Sequence, residues 1–556
     1  MNVTQEALPA DVHGLSEIAR AALAAGTAFR PVPVPRGAAE IPRPEERLGE
    51  EERAALVDSI IGGTGRACIT LHPAAAERLE AMRRDGVPCV VTGQQPGFLT
   101  SPLYSLYKAI QACRLADELG ERWGTPVAAV FWNHADDHDV AEVHHAWQLN
   151  RNLDLQKAAL AGLSSGRVPL GDLPVSAEAQ RLDALRAQLR TMVEEHEGAD
   201  AALDLFMPRD GETLPRALTR VFSELCGRHG LIVVEPDWIR TQLSSELGRI
   251  VSGPMGRGGL LDALRAGEEE LRGCGLEPAI PVGDAGTDAG SAAALVYRHV
   301  DGERVALRAG DEGFVLDGEP GSRTHAELGA LLVGAPAEWS AGAVLRPLVQ
   351  DAVLPTCAYV GGWGELGYNA QSGPARDAAG LPRTPFLPRV SAVLVDGDTR
   401  YALERVDASL VEVLRAGGEF TPADDDAGEP EVVAALRALG EDVAGRLLTH
   451  KAALAALEPA LAITLKKTAG HVQQSIGKVI DKALRVHQNR AGKGQRQVRR
   501  VNHTLMPRGI PQERVLGPFQ FAARFGAQAF VDMLRRELPS ASAEPIALHI
   551  EEPETH

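Results

Sequence analysis

The amino-acid sequence predicts an α/β protein with a parallel-sheet core, inserted connecting segments and a C-terminal α-helical coiled-coil region. Short, mainly apolar segments at 87–92, 126–132 and 231–235 are typical of strands covered on both faces, as in a parallel sheet. A segment with helical features at 102–122 separates the first two, which predicts a β-α-β unit. Heptad-like apolar spacing over 432–483 predicts the coiled coil.

The composition is that of a folded protein. The 556 residues are enough for about three or four structural units. Hydrophobic residues make up 44% and charged residues 24%, which excludes a chain that is disordered throughout. The 75 acidic residues outnumber the 57 Lys and Arg. The resulting net charge of −18 argues against a nucleic-acid partner, because affinity for a polyanion depends on basic residues that release counterions.

Cysteine usage and hydropathy predict the compartment. The six cysteines form neither a CxxC motif nor a disulfide framework, which fits a reducing cytoplasm. The N-terminus lacks the basic and then apolar pattern of a signal peptide. The longest apolar runs are about seven residues, far shorter than a membrane span. We therefore expect a cytoplasmic protein with no membrane segment.

Changes of pattern along the chain divide it into segments. They are an N-terminal helical region (1–85), the first half of the sheet core (86–150), a helical insertion (151–210), a continuation of the core (211–255), an insertion with a β-hairpin (256–339), the second half of the core (340–400), the helical coiled-coil region (401–500) and a C-terminal segment (501–556). The hairpin is predicted around Asp301-Gly302, a dipeptide that favours a two-residue turn.

The apolar series of the coiled-coil region has two interpretations. Its members are Val432, Leu436, Leu439, Val443, Leu447, Leu461, Leu465, Thr468, Val472, Ile476, Val479 and Ala483. Two antiparallel helices inside a core would show this spacing, and so would an arm that projects from the protein. The length of the helices and their polar outer faces favour the arm.

The first candidate site is the loop Gly93-Gln94-Gln95-Pro96-Gly97-Phe98, between a predicted strand and a predicted helix. Ligands of open α/β sheets bind at such positions, and free amides at a helix N-terminus favour an anion. The two glutamines offer neutral donors and acceptors to a nucleotide or an amino acid. Because the loop lacks the Lys-Ser/Thr pair of a P-loop and the spacing of GxGxxG, a plain structural turn is the alternative.

The second candidate site is the segment 131–145, in which eight of fifteen residues are His, Asp or Glu. The segment directly follows the second predicted strand, so it lies at the carboxyl edge of the sheet. Imidazoles beside carboxylates serve as general bases or as metal ligands. The spacing does not choose between zinc and magnesium, and a solvated charged surface is the alternative interpretation.

The third candidate site combines 345–351 with 359–365. Glu365 follows a predicted strand and the turn Gly361-Gly362, where it is well placed to meet a ligand. Arg346 and Asp351 either contact a ligand or pair with each other in a structural role.

These segments resemble a known family, the cysteine-adding enzymes of bacillithiol biosynthesis. The similarity has four ordered parts: Thr92-Gly93-Gln94-Gln95 with Gly97, Pro102-Leu103-Tyr104 and Tyr107-Lys108; Phe131 to His145; Leu345 to Glu365; and Leu505 to Gly509 with Gln512-Glu513-Arg514 and Phe525-Gly526. The chain departs from the family pattern in four ways. Asp136 replaces Glu, Trp363 replaces Pro or a small residue, Asn369 replaces an aromatic residue, and His134 and His144 are additional imidazoles.

The resemblance implies an activity and an architecture. The expected reaction joins L-cysteine to glucosaminyl-malate through an amide bond, with ATP as the co-substrate that activates the carboxylate, through an adenylate or a phosphate. The expected fold is a Rossmann-like core followed by a coiled coil that supports a homodimer. Whether a metal is bound is left open.

The resemblance also implies roles for individual residues. The nucleotide or cysteine would contact Gly93, Gln94, Gln95, Gly97 and Lys108. The catalytic group would be Asp137, His138, Asp139 and Glu365, with His138 as the base or the group that polarises the acyl carbon, oriented by either aspartate. The substrate would contact Asp136, Glu142, His145, Arg346, Gln350, Asp351, Tyr368 and Arg389, with Arg346 on the malate carboxylates.

Two other classes of function remain open. One is a metal-dependent hydrolase that uses the His/Asp cluster, and the other is a dimeric coiled-coil scaffold without catalysis. A basic stretch at 482–508, which contains no acidic residue, is either a solvated helix face or a site for a small anion.

Overall fold

The computed structural model describes residues 1–163, 166–175, 179–252, 259–280, 282, 294–310, 313–316, 322–422, 431–491 and 493–551. These residues form two compact units, one of residues 1–395 and 510–556 and one of residues 396–509. Within the described ranges, no helix is both long and apolar enough to cross a lipid bilayer.

The strands of the described residues belong to a central sheet and three smaller sheets. In chain order they are β1 (Asn2–Ala7), β2 (Cys89–Gln94), β3 (Ala128–Asn133), β4 (His145–Leu149), β5 (Leu155–Ala159), β6 (Leu231–Val234), β7 (Ala294–Val300), β8 (Glu303–Gly310), β9 (Gly313–Leu316), β10 (Trp339–Ala341), β11 (Thr356–Gly361), β12 (Phe386–Pro388), β13 (Ala392–Val395) and β14 (Ile546–Glu551).

The central sheet is parallel and has the order β12-β11-β2-β3-β6. The chain runs outward from β2 to β3 and β6, then returns to the other side of β2 for β11 and β12. The strand order therefore reverses between β2 and β11, and the carboxyl ends of these two strands flank the crevice where open α/β sheets bind ligands. The predicted parallel-sheet core is confirmed.

Alternate residues of the central strands pack on opposite faces of the sheet. Val90 and Phe131 belong to an apolar cluster on one face, together with helix Tyr104–Trp123. Val91 and Val130 belong to a second cluster on the other face. Because both faces are covered, every residue of these strands can be apolar, which is why they gave a strong sequence signal.

The inserted segment after the third core strand forms the sheet β10-β7-β8-β9. As predicted, β7 and β8 form an antiparallel hairpin around Asp301-Gly302, and both turn residues have positive φ, 51° and 82°. β10 pairs with β7, which brings Trp339 and Ser340 beside the hairpin.

The structure differs from the prediction in two segments expected to be helical. Residues 1–85 contain β1, which pairs with β14, and residues 151–210 contain β5, which pairs with β4. β1 is largely exposed and polar, and β5 is a short strand of mostly half-buried residues. They lack the apolar alternation by which a strand is predicted from sequence.

The remaining part of the first unit is helical. Its α-helices are Glu17–Ala25, Glu50–Arg66, Pro73–Asp85, Tyr104–Trp123, Val140–Val143, Ala179–Met192, Ala199–Phe206, Leu214–Cys226, Arg240–Ser252, Gly259–Gly273, His325–Gly334, Arg346–Val353, Trp363–Gln371, Gly373–Ala378, Gln512–Val515, Pro518–Phe525 and Ala527–Glu537. The predicted helix 102–122 begins two residues later, at Tyr104, because residues 98–100 form a 3-10 turn.

The second unit consists of α-helices, with the coiled coil formed by the longest of them. They are Gly397–Arg405, Leu410–Arg415, Glu431–Thr449, Lys451–Leu457, Pro459–Ala491 and Lys493–Leu505. Glu431–Thr449 packs on Pro459–Ala491, where Gly440 lies against Ile476.

The seam of the long helix is close to the predicted one. Its shielded residues are Ala462, Leu465, Ala469, Val472, Ile476 and Ile480, which recur at spacings of three and four. The predicted seam residues Leu461, Thr468 and Val479 each lie one position before a shielded residue and are exposed. Of the basic stretch 482–508, the side chains of Arg485, Arg490 and Lys493 lie outside the described residues.

Candidate functional site

A cavity of about 190 Å³ opens at the carboxyl edge of the central sheet. Its wall combines residues after β3, residues of helix Arg240–Ser252, residues of helices that follow β10 and β11, and residues of the inserted sheet. The polar side chains on the wall are His134, Asp136, Asp137, His138, Arg240, Ser244, Tyr297, Arg304, Trp339, Ser340, Arg346 and Tyr368. The insertion therefore completes a site that the sheet edge begins.

The ends of β2 and β11 are joined by a buried ion pair. Lys108 on helix Tyr104–Trp123 is 1% exposed, and its ammonium group pairs with the Glu365 carboxylate. The same ammonium donates to the Gly93 carbonyl at 2.8 Å and to Gln94 Oε1 at 3.0 Å. Glu365 also accepts hydrogen bonds from Tyr359 Oη at 2.7 Å and from the Gly362 amide at 2.8 Å. This network holds the two strand ends together across the crevice.

The contacts of Lys108 and Glu365 determine their charge states. Burial alone would raise the pKa of Glu365, but Lys108 and the hydrogen bonds from Gly362 and Tyr359 lower it below its usual value. Burial lowers the pKa of Lys108, and Glu365 opposes this shift. Both oxygens of Glu365 have protein partners, and the residue links the two strand ends.

The loop after β2 is fixed by its own contacts. Gln95 Nε2 donates to Asp137 Oδ2 at 2.5 Å, and Gln94 Nε2 donates to Tyr104 Oη at 3.3 Å. A Cβ at Gly97 would lie 1.9 Å from the Ser101 carbonyl oxygen, so only glycine fits there. Neither glutamine lines the cavity, but Gln95 is linked to it through Asp137.

The acidic residues of the segment after β3 have separate partners. Asp136 forms a two-pronged ion pair with Arg240, and Asp137 Oδ1 accepts from the amides of His138 at 2.7 Å and Asp139 at 3.3 Å. Asp139 caps the short helix after it. Asp137 Oδ1 is 3.9 Å from His138 Nδ1. The structure therefore brings these residues together without forming an Asp-His dyad.

His138 contacts the inserted hairpin instead. Arg304 Nη1 lies 3.3 Å from His138 Nδ1. Burial lowers the pKa of His138, and Arg304 acts in the same direction. The imidazole is consequently neutral at pH 7.

Several wall residues have polar atoms that are shielded from solvent and without a hydrogen-bond partner among the described residues. These atoms are His134 Nε2, Arg304 Nε, Trp339 Nε1 and Arg346 Nη2. Burial lowers the pKa of His134 well below its usual value, and nearby Arg346 and Lys108 add to the shift. A set of unpartnered donors on a cavity wall suits a ligand that carries oxygen anions, such as a carboxylate or a phosphate.

Arg346 forms no ion pair with any described carboxylate. Its Nη1 donates to Gln350 Oε1 at 2.8 Å, and its guanidinium carbon lies 6.0 Å from the centre of the Tyr368 ring. Burial raises the pKa of Tyr368, so its hydroxyl stays protonated at neutral pH and serves as a donor or an acceptor. Arg346 is thus bonded to Gln350 and lies beside Tyr368.

Asp351 lies elsewhere. It pairs with Arg376 at 2.7 Å and accepts from Thr384 Oγ1 at 2.8 Å, and its charge influences Cys89 at the amino end of β2. Asp351 therefore neither pairs with Arg346 nor lines the cavity. It belongs to a buried structural network with Arg376 and Thr384. Its neighbour Gln350 links this network to the site through a 3.2 Å bond to Asp351 Oδ1.

Three further predicted residues do not line the cavity. Arg389 pairs with Glu513 at 2.6 Å and lies 4.5 Å from the Tyr104 ring centre. Glu142 is exposed in the short helix after Asp139. His145 begins β4, next to His144 and Trp147.

Sequence reasoning missed six polar residues of the cavity wall, which are Arg240, Ser244, Tyr297, Arg304, Trp339 and Ser340. These residues come from helices and insertions without a motif, and only the fold brings them to the sheet edge. The sequence showed His134 only as an additional imidazole. Its position one residue after β3 could have indicated that it lies at the carboxyl edge of the sheet.

The described side chains provide no metal centre. No group of three or more His, Cys, Asp or Glu residues within the described ranges is arranged to hold an ion. Asp136, Asp137 and Asp139 are bonded to Arg240, to amides and to Gln95 instead. The metal-dependent hydrolase therefore has no ligand set in the described part of the chain.

The fold and the cavity define a Rossmann-like α/β protein with a separate coiled-coil unit. Comparison with protein families identifies it further. A family model described as "Bacillithiol biosynthesis BshC, N-terminal Rossmann-like domain" matches residues 41–390, and one described as "Bacillithiol biosynthesis BshC, C-terminal coiled-coil domain" matches residues 446–544. The chain belongs to the BshC family of bacillithiol biosynthesis, as the sequence resemblance predicted.

Individual relatives agree with the family match. A protein of Koribacter versatilis is 28% identical over 82% of each chain. A protein of Heliobacterium modesticaldum is 28% identical over 87% of this chain and 86% of its own, and one of Thermus thermophilus is 29% identical over 86% and 91%. Each is named "Putative cysteine ligase BshC".

Proposed function

We propose that the protein joins L-cysteine to glucosaminyl-malate, forming an amide bond between the cysteine carboxyl group and the sugar amine, in the cytoplasm. The observation that carries this proposal is the cavity wall, which includes Arg346, Arg304, His134 and Trp339, each with a polar atom that has no hydrogen-bond partner among the described residues. The malate part of glucosaminyl-malate carries two carboxylates at neutral pH, and such a wall complements them. The names of the relatives, which are given as cysteine ligases, support the reaction class.

Arg346 is the proposed contact for a malate carboxylate. The residue lines the cavity and forms no ion pair with a described carboxylate, so a ligand carboxylate would compensate its charge. His134, neutral and lacking a partner for Nε2, would donate a second hydrogen bond. Tyr368 beside Arg346 would contact a hydroxyl group of the substrate.

Amide formation from a free carboxylate is unfavourable in water, so the reaction needs an energy source. We propose ATP as co-substrate. The unpartnered donors of the wall fit phosphate oxygens as well as carboxylates. Gln94 and Gln95 at the end of β2 stand where nucleotides bind to Rossmann-like sheets. Both activation routes, through an adenylate or through an acyl phosphate, are compatible with this arrangement.

Incubation of the purified full-length protein with L-cysteine, glucosaminyl-malate and ATP tests the proposal. Mass spectrometry is expected to show a product with the mass of the cysteinyl amide, and none when ATP is omitted. Release of AMP would indicate an adenylate and release of ADP an acyl phosphate. Absence of the product from the complete mixture would contradict the proposal.

We also propose a homodimer formed through the coiled-coil unit. This unit exposes an unusual number of large apolar side chains, among them Leu439 (50%), Leu457 (79%), Ile463 (61%) and Val479 (54%). Light scattering coupled to gel filtration is expected to give the mass of two chains. The variant Leu457→Ser/Ile463→Ser is expected to shift it towards one chain, while Ile61→Ser, at an exposed site of the other unit, leaves it unchanged.

A further inference from the structure

Arg304 on β8 reaches from the inserted hairpin to the candidate catalytic histidine. The residue is 6% exposed, and its guanidinium carbon lies 3.9 Å from the centre of the Tyr297 ring. Its amide donates to the Arg167 carbonyl at 2.8 Å, and its Nη1 is 3.3 Å from His138 Nδ1. Backbone and ring contacts thus fix the guanidinium where it meets the imidazole.

The chemistry of the two groups determines the direction of this hydrogen bond. A guanidinium has donors and no acceptor, so His138 Nδ1 must accept. A neutral imidazole that accepts at Nδ1 carries its proton on Nε2. No protein partner of Nε2 is found among the described residues. Since His138 lines the cavity, Nε2–H is the ring group left to meet a ligand.

We propose that Arg304 is a positioning residue that holds His138 in the Nε2–H form, so that His138 donates a hydrogen bond to a substrate oxygen and does not act as a base. The identity of that oxygen, on a carboxylate or a carbonyl, rests on the function proposed above. The tautomer itself does not depend on that function.

The neighbouring carboxylates support this assignment. In a general-base dyad a carboxylate accepts from Nδ1–H and leaves Nε2 free to take a proton. Here Asp137 Oδ1 is 3.9 Å from Nδ1 and accepts from two backbone amides instead. Asp139 Oδ1 accepts from the amides of Ala141 and Glu142. Neither acid holds a proton on Nδ1.

The charges around the ring keep it neutral. Burial lowers the pKa of His138, Arg304 and Arg167 act in the same direction, and Asp137 and Asp139 oppose them. The Tyr297 ring lies 6.0 Å away, edge to face. A neutral Nε2–H donor is therefore present at pH 7 without a proton being taken up from solvent.

Nitrogen-15 spectroscopy of the full-length protein, labelled on histidine, tests the tautomer directly. The His138 signals are assigned by their loss in His138→Gln. The expected result is a protonated Nε2 and an unprotonated Nδ1. Arg304→Met should move the proton towards Nδ1, while Arg304→Lys, which keeps an N–H donor on a long side chain, should preserve the wild-type pattern. A protonated Nδ1 in the wild type, or an Arg304→Met spectrum identical to it, would overturn the proposal.

Turnover of two His138 variants tests the donor role. The amide of Gln can supply an N–H near the position of Nε2–H, but it cannot accept a proton as a base. His138→Gln should therefore keep turnover within about tenfold of wild type and exceed His138→Ala, whereas loss of a general base typically costs roughly 10²- to 10⁴-fold. Equal, large losses in both variants would refute the donor role. If the wild type forms no cysteinyl product, the proposed function fails, and the spectroscopic result still decides the role of Arg304.

Discussion

Arg346 and Arg376 are close in sequence and both belong to the second half of the core, yet their surroundings differ. Arg376 is 3% exposed and pairs with the equally buried Asp351, with Thr384 as a further partner. Arg346, one helical turn before Gln350 and Asp351, lines the cavity and has no carboxylate partner among the described residues. A charge that is paired within the core is structural, whereas the Arg346 charge, which Glu365 favours without a direct ion pair, is available to a ligand at the cavity.

The largest expected effect on stability is at the buried ion pair of Arg376 and Asp351. Arg376→Met leaves Asp351 buried without its cation, and breaking a buried pair in this way typically costs about 3–5 kcal/mol. Urea denaturation is expected to show a loss of this order in the free energy of unfolding. The double variant Arg376→Met/Asp351→Leu should lose less than the sum of the two single variants. Additive losses would show that the two charges do not interact.

A second buried acid, Glu235, is paired less strongly than Asp351. Glu235 follows β6, is 2% exposed, and has Arg216 Nη2 at 3.2 Å and Thr219 Oγ1 at 2.6 Å. Burial outweighs both contacts and raises the pKa of Glu235 from 4.5 to about 7. The pair is thus too weak to keep the carboxylate fully ionised at neutral pH.

This shift predicts a pH dependence of stability. The folded protein holds the Glu235 proton more tightly than the unfolded chain, so the free energy of unfolding falls as the pH rises from 4.5 to about 7. The loss is of the order of 2–4 kcal/mol, and Glu235→Gln should remove it. Denaturation of both proteins across this range measures the difference. Glu224→Gln, at an exposed helix position, is the control, and an identical pH dependence of wild type and Glu235→Gln would contradict the prediction.

The difference between Arg346 and its neighbour Asp351 also shows which parts of the fold and the site the sequence could predict. The core strands were found because both faces are covered and their residues are apolar, and the loop of Gln94 and the segment of His138 were found because they follow such strands. Asp351 was assigned to the substrate because it lies in the same motif as Arg346. The helix 346–353 nevertheless turns the two side chains towards different surroundings, which no motif encodes.

The positions of Arg304 and Tyr297, which belong to no motif, could not be predicted from the sequence for a different reason. Arg304 and Tyr297 lie on a hairpin whose turn was predicted correctly, but the pairing of β10 with β7 and the packing of the hairpin on the sheet edge bring them to His138. Only long-range contacts define that position. The Asp-His dyad was expected from adjacency in the chain, while the structure uses both aspartates to bond backbone amides.

The smallest expected effect on stability is at Arg346. Arg346→Met leaves no carboxylate unpaired, so the free energy of unfolding should change by no more than about 1 kcal/mol, in contrast to Arg376→Met. Loss of a charge-assisted hydrogen bond worth about 1.5–3 kcal/mol should raise the KM for glucosaminyl-malate roughly ten- to hundredfold. Steady-state kinetics and urea denaturation of the same preparation measure both quantities. A loss of stability as large as that of Arg376→Met, with an unchanged KM, would mean that Arg346 is structural too and that its charge is compensated within the protein.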